Sequence, residues 1–307
     1  MTVSSSVDFN QTVTELLKAS LWDTGALGLN QTPGAALMQM AMGTANRMLK
    51  AWHGEGLYLW KNKEVALFMG YEEYSFDIGP SGDHATASYV KTEIATASAS
   101  GGGTVTVDDD EGMTTGDYIG IELDDGTLQW TTINGAPVTN VVTLTDVLTD
   151  SCAVDNHVYT YTTKANRPLE IIEARLHRAS GYETNLLIQA RSDYMLLSSK
   201  TNSGTPNQIY FDPQRTDANI RVWPANGDVQ DWIIMTVKDP IMDLDSVSND
   251  FDFPVEWYEA IEFNTAIRLC PKLGRTASQE LIALANLSKE NARDFDSEQT
   301  STFIRIG

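Results

Sequence analysis

Between residues 33 and 53 apolar side chains recur every three or four positions. Leu37, Met40, Ala41, Thr44, Ala45, Met48, Leu49 and Trp52 share one side of a helical wheel, with Gln39, Gly43, Asn46, Arg47, Lys50 and His53 opposite. That is the 3.6-residue period of an amphipathic helix, and its Met-rich stripe reads as packed core. Thr32 and Pro33 offer an N-cap and a first-turn proline, and Gly54 and Gly56 close the helix. A shorter helix over 12–22 turns Val13, Leu16, Leu17 and Leu21 inward. Over 254–269 the pattern is different. Trp257, Tyr258, Ile261, Phe263, Ile267 and Leu269 nearly encircle the wheel, interrupted by an arc of Glu256, Glu259 and Glu262, with Pro254 in the first turn and Pro271 as the stop. A helix apolar on most sides is contacted on most sides, within its own domain or by a neighbouring subunit. Thr276 to Gln279 reads as a capping box for a last helix over 277–293, with Leu281, Leu284, Ala285 and Ala292 as its stripe.

Between these helices the period shortens. Glu64 to Met69 and Tyr74 to Ile78 predict a hairpin, and Ile78-Gly79-Pro80-Ser81-Gly82-Asp83 a rigid turn that lacks the lysine and following helix of a phosphate-cradling loop. Ala95 to Gly103 is a small-residue, linker-like stretch. Short alternating runs follow at 104–107, 118–123, 128–133, 138–144 and 158–161, with Asp124-Asp125-Gly126 and Asn134-Gly135 as turns, so residues 94–163 predict a small all-β module, barrel or sandwich. Leu169 to Leu176 fits a strand or a buried helix equally, and Ser192 suits the cap of a short helix to Ser198. Gln208 to Asp212, Asn219 to Pro224 and Trp232 to Lys238 read as a meander. The expected fold class is α+β. A helical core with antiparallel strands spans 1–93 and 164–294, with long helices at 33–53, 254–269 and 277–293. It carries the inserted β module at 94–163 and an extended C-terminal tail at 295–307.

Several stretches resemble one family. Met48-Leu49-x-x-Trp52-x-x-Glu55-Gly56-Leu57, Tyr74-x-Phe76-x-Ile78-Gly79-Pro80-x-Gly82-Asp83, Pro206-x-x-Ile209-Tyr210-Phe211-Asp212, Ile220-Arg221-Val222-Trp223-Pro224 and Phe253-Pro254-x-Glu256-Trp257 occur in register. The last is followed by Asn264 and by Leu269-Cys270-Pro271, where the family typically has Leu-Ala-Pro. Together they resemble the head-to-tail adaptor, or tail accessory, proteins of short-tailed bacteriophages. The match covers 48–83 and 206–275; the insertion between is not covered. The resemblance implies a structural virion protein, assembled in the host cytoplasm as a dodecameric ring under the portal in the phage neck. Such a ring extends the DNA channel and gives tail tube, nozzle or fibre proteins a platform. It also implies that the C-terminal segment binds the portal, here through Phe303, Ile304, Arg305 and Ile306, an alternating stretch whose apolar side chains need a groove or sheet edge. The all-round apolar helix, through Trp257, Tyr258, Ile261 and Phe263, is the expected core or subunit-interface element.

Charge sharpens this picture. The chain of 307 residues carries 42 acidic and 21 basic residues, a formal charge of −21. No Lys/Arg cluster is present, which argues against sequence-independent nucleic-acid binding, while like charge suits a channel through which genomic DNA slides without sticking. The β module holds 11 Asp or Glu and no Lys or Arg. No run of 18 apolar residues exists to span a membrane, and Met1 to Asn10 lacks the order of a signal peptide. Cys152 and Cys270 read as buried small hydrophobes, with neither disulfide nor metal-ligand spacing. Asp108-Asp109-Asp110-Glu111 fits no EF-hand loop. Neither cofactor, metal nor catalysis is expected. The alternatives are a peptidoglycan-cleaving tail enzyme using the carboxylates Glu256, Glu259 and Glu262, some members of the family having been linked to cell-wall cleavage, and an acidic protein-binding module. His53, His84, His157 and His177 sit in no nucleophile motif.

Overall fold

The computed structural model describes residues 9–28, 31–55, 59–246, 248 and 250–296. The expected helical-core class is overturned: among the described residues the protein is mostly β, with strands in several sheets, five short helices and 26% helix. A helix of a dozen residues shows its period plainly, whereas a strand of two to five residues offers too few positions to display one.

In chain order the elements are α1 (Val13–Asp23) and α2 (Ala35–His53), then β1 (Asn62–Phe68), β2 (Ser75–Ile78), β3 (Ala85–Thr86), β4 (Val90–Thr96), β5 (Thr104–Val107), β6 (Tyr118–Glu122), β7 (Leu128–Thr132), β8 (Val141–Thr143) and β9 (His157–Tyr161). They continue with β10 (Glu170–His177), β11 (Glu183–Asn185), β12 (Leu187–Gln189), α3 (Arg191–Met195), β13 (Ser203–Gly204), β14 (Gln208–Asp212), β15 (Ala218–Trp223), β16 (Ala225–Asn226), β17 (Trp232–Lys238), α4 (Tyr258–Leu269) and α5 (Gln279–Phe295). The chain divides into two compact units, Met1–Trp60 with Ile241–Gly307, and Lys61–Pro240.

The first unit is helical. Thr12 opens α1 with a capping box closed by Glu15. The N-cap of α2 is Gly34 rather than Thr32, and that of α5 is Ser278, whose hydroxyl accepts the Leu281 N–H at 3.1 Å, rather than Thr276. Pro254 begins a 3-10 turn, Val255–Trp257, so α4 itself starts at Tyr258; it ends at Leu269 before a second such turn, Cys270–Leu273, which Gly274 closes in the left-handed region at φ 67°. The core gathers Leu16, Leu17, Met48, Trp52, Trp257 and Ile261. Trp52 and Trp257 lie 5.8 Å apart, and Trp60 lies 5.7 Å from Trp257 and 5.4 Å from Phe253. Each such buried aromatic contributes about 1.5–3 kcal/mol by leaving water.

The second unit is built from sheets. Strand order β11-β10-β17-β1-β3 makes a five-stranded sheet, β12-β14-β15-β2 a four-stranded one and β13-β16 a ribbon. Leu169 to Leu176, ambiguous in sequence, forms the strand β10, because Ile171, Ala174 and Leu176 join Val65, Leu67, Ile209, Ile220 and Ile233 in one core. Helix α3 is shorter than Ser192 to Ser198, and its N-cap is Ala190, with no side-chain hydrogen bond. Residues 90–161 form a six-stranded half-barrel, β7-β6-β9-β4-β5-β8, whose outer strands touch through the Ile133–Leu144 bridge. Its interior holds Ile94, Val107, Ile119, Ile121, Val142 and Val158. Its Tyr159 and Tyr161 pack with Phe68 and Trp232 of the five-stranded sheet.

Candidate functional site

Within each unit, stretches that carry the resemblance meet: the first with the last in the helical unit, and the second with the consecutive pair at 206–212 and 220–224 in the β unit. In the helical unit Met48, Leu49 and Trp52 of α2 share a core with Phe253 and Trp257. In the β unit three stretches are adjacent strands: β2 pairs with β15, setting Phe76 against Ile220 and Ile78 against Ala218, and β15 pairs with β14, setting Val222 against Ile209.

The turn between β2 and β3 explains its two glycines. The Asp217 carboxylate accepts the Ser81 hydroxyl at 2.6 Å and the Ser81 N–H at 3.3 Å, and a Cβ on Gly79 would collide with it. A Cβ on Gly82 would collide with the backbone carbonyl of Asp77. Asp83 closes the turn by accepting the Asp77 N–H at 2.7 Å and donating its own N–H to the Asp77 carbonyl at 2.6 Å, while the Lys164 ammonium donates to the Gly82 carbonyl at 2.5 Å. The Gly82 N–H goes to the Gly79 carbonyl at 3.0 Å. The amides of Ser81, Gly82 and Asp83 thus have acceptors within the chain, and two carboxylates stand beside them. Such a turn repels phosphate and braces structure.

The expected interface residues are located in the helical unit. Trp257, Tyr258 and Ile261 are buried in its core, Trp257 to 1% exposure, while Phe263 is half-buried against Ala266, Cys270 and Leu281. Phe303, Ile304, Arg305 and Ile306 lie outside the described residues. Of the three glutamates, Glu256 and Glu259 are exposed, and Glu262 is half-buried. Its carboxyl shares a hydrogen bond with Asp23 at the end of α1. Burial, then the Asp23 charge and hydrogen bond, then the Glu259 charge, push Glu262 up to about 7. Asp23 is also raised, by burial, with the hydrogen bond to Glu262 opposing. No spacing rule in the sequence pairs residue 23 with 262, so this contact was not legible there.

Two of the histidines, His84 and His177, stack on tryptophans. His84 stacks on Trp130 at 3.8 Å between centroids, its Nδ1 is 2.7 Å from the Tyr161 hydroxyl, and burial followed by the Lys164 charge lowers it to about 3. It is therefore neutral at physiological pH. His177 stacks on Trp232 at 4.0 Å. His157 lies between carboxylates, its Nδ1 3.2 Å from Glu122 and its Nε2 3.7 Å from Glu93. Glu122 also accepts the His157 N–H at 2.9 Å and the Gln230 amide at 2.8 Å. Burial disfavours its ionisation, but the hydrogen bonds from His157 and Gln230 outweigh that and hold it below the usual glutamate range.

One cavity of about 250 Å³ is lined by Arg178, Gly204, Thr205, Gly227, Asp228 and Asp231. Its charges are already engaged: Asp231, buried, lies 3.4 Å from the Arg178 Nε and accepts the Ala179 N–H at 3.2 Å. The pair fastens the 178–182 turn to the 228–231 loop. A shallower depression is lined by Lys91, Thr92, Glu93 and Asp108. Cys152 and Cys270 are both free and buried. Among the described residues no three His, Cys, Asp or Glu converge to hold a metal ion, and no helix is long and apolar enough to cross a membrane.

No protein-family model matches the chain, and no curated protein matches it.

Proposed function

We propose that this protein is a structural virion component, a head-to-tail connector that assembles as a ring, dodecameric by resemblance, beneath the portal. There it prolongs the DNA channel and presents a platform for tail proteins. The observation that carries this reading is the convergence of the resembling stretches. Three of them are neighbouring strands sharing one core, and two share the tryptophan cluster of the helical unit. The pairing of β14 with β15 is ordinary for consecutive strands, but β2 with β15, and α2 with the 253–257 stretch, join segments far apart in sequence. The acidic charge adds support, since a channel wall of like charge lets DNA pass without counterion-releasing contacts. The tail residues Phe303, Ile304, Arg305 and Ile306 are proposed to dock on the portal.

Mixing the purified chain with its portal and viewing the sedimented complex end-on by electron microscopy tests the reading. A collar sharing the portal's axis is expected, and a chain ending at Asp294 should leave the portal bare. Unchanged portal rings in the presence of full-length protein would reject it.

A second reading, peptidoglycan cleavage, draws on one observation: a glutamic acid pushed up to about 7 beside another carboxyl group is the state a general acid needs. It predicts clearing of a peptidoglycan suspension that Glu262→Gln abolishes. No clearing by the wild-type protein would remove it.

A further inference from the structure

Two apolar patches of the β unit are exposed and chemically unlike. The first is a ridge. Strand β12 is an outer strand of its sheet and leaves Leu187 61% exposed. Helix α3 follows at once, held by Tyr194, which is buried and stacks on Tyr210 at 5.6 Å. With Tyr194 turned inward, Met195 and Leu196 face out, Leu196 to 83%. Charges along 182–200 are Glu183, Arg191, Asp193 and Lys200, which sum to zero.

The second patch is the hairpin tip before β8. Val138 and Val141 exchange backbone hydrogen bonds at 3.1 Å around Thr139 and Asn140, and Val138 is 68% exposed. Both central residues are left-handed, Thr139 at φ 53° and Asn140 at φ 63°. Asparagine tolerates that region, but a β-branched threonine there is strained, and backbone strain concentrates where a segment has work to do. The tip is tied to the acidic stretch Asp108 to Glu111: the Asn140 N–H donates to the Asp110 carboxylate at 3.0 Å and its side-chain amide to the Asp108 carbonyl at 2.7 Å. The valines therefore sit beside four consecutive acids, in a half-barrel (90–161) whose only Lys or Arg is Lys91.

Resting on the connector reading, we infer that the valine tip of one copy seats on the Leu187–Leu196 ridge of the next. Copies of a chain with charge −21 repel one another, so a contact between copies has to keep acidic patches from facing each other. Two tips cannot meet, because each brings four consecutive acids, and two ridges meeting would close an isologous pair rather than a ring. Tip on ridge joins apolar to apolar and sets the acids against the neutral surface, with Arg191 exposed beside it. The two patches differ, so the contact is heterologous, the type that repeats around a closed ring.

The test uses two full-length variants, Leu187→Asp with Leu196→Asp on the ridge and Val138→Asp with Val141→Asp on the tip, under conditions where the wild type assembles on its portal. All four positions are exposed, and matching thermal unfolding to the wild type establishes that each variant is folded. Each variant alone should lose rings, with at least about tenfold weaker self-association. Mixed together, they should make one-to-one contacts between copies and no longer run of copies, whether or not each also docks on the portal, since a pair uses the one intact tip and the one intact ridge. Either variant forming dimers by itself, or both still forming rings, would overturn this contact while leaving the connector reading standing. A wild-type chain that never assembles on the portal would sink both.

Discussion

Two partly buried glutamates, one in each unit, are held in opposite protonation preferences. In the helical unit Glu262 is half-buried against Asp23, with Glu259 nearby, so the folded state favours a proton. In the β unit Glu122 is also partly buried, but His157 and Gln230 donate to it, so the folded state favours the charge. The difference teaches that burial alone does not decide the cost of an acid; the donors around it do. It also gives the two glutamates opposite contributions to stability as pH changes.

The largest expected effect tests whether the helical unit depends on its tryptophan cluster. Trp257→Ala should cost about 3–5 kcal/mol in denaturant unfolding, through the cavity and the lost contacts with Trp52 and Trp60. A change of a few tenths would mean the cluster is loosely packed. In the β unit the corresponding break is Gly82→Ala, whose new methyl group meets the rigid backbone carbonyl of Asp77. About 2–3 kcal/mol should be lost, whereas an exposed glycine such as Gly101, with open space around it and φ 83°, should cost less on the same substitution.

The pH responses sharpen the comparison directly. Glu262 is raised from 4.5 to about 7. Below pH 4.5 the folded and unfolded states both hold the proton and there is no penalty; as pH rises through 7 the folded state must release it, and stability falls. Glu262→Gln removes that loss, so the variant should gain about 1–2 kcal/mol over wild type at pH 8 and nothing near pH 4, partial exposure halving the full linkage value. Glu122 has the opposite sign. Its contribution is present above the ordinary glutamate range and is lost as pH falls through its lowered value. Glu122→Gln should therefore cost about 1 kcal/mol at neutral pH and less in acid, read from unfolding midpoints along a pH series.

Much of the helical unit was legible because its residues repeat with one period over long spans; Val13, Leu16, Leu17 and Leu21, and the α2 stripe from Ala41 to Trp52, are buried together. Both cap positions were displaced by two residues, because Thr32 and Thr276 precede the residues with extended backbone, Gly34 and Ser278, that open the helices. The fold class was misjudged because β3, β11, β12, β13 and β16 have only two or three residues each, too short for any pattern. Pairings across long separations were equally invisible: Asp217 with Ser81, Lys164 with Gly82, Asp23 with Glu262. Each joins residues whose only relation is the fold. The glycine-rich turn was legible as a turn, yet why Gly79 and Gly82 must be glycine required Asp217 and the Asp77 carbonyl in place.

The connector reading stands or falls on stoichiometry. Native mass spectrometry of the full-length chain, alone and mixed with its portal, reads it in one experiment. The account predicts that portal and chain form one complex whose mass corresponds to a dodecameric collar on each portal ring, and that a chain ending at Asp294 leaves the portal mass unchanged. A full-length protein that stays monomeric beside an unaltered portal would contradict it.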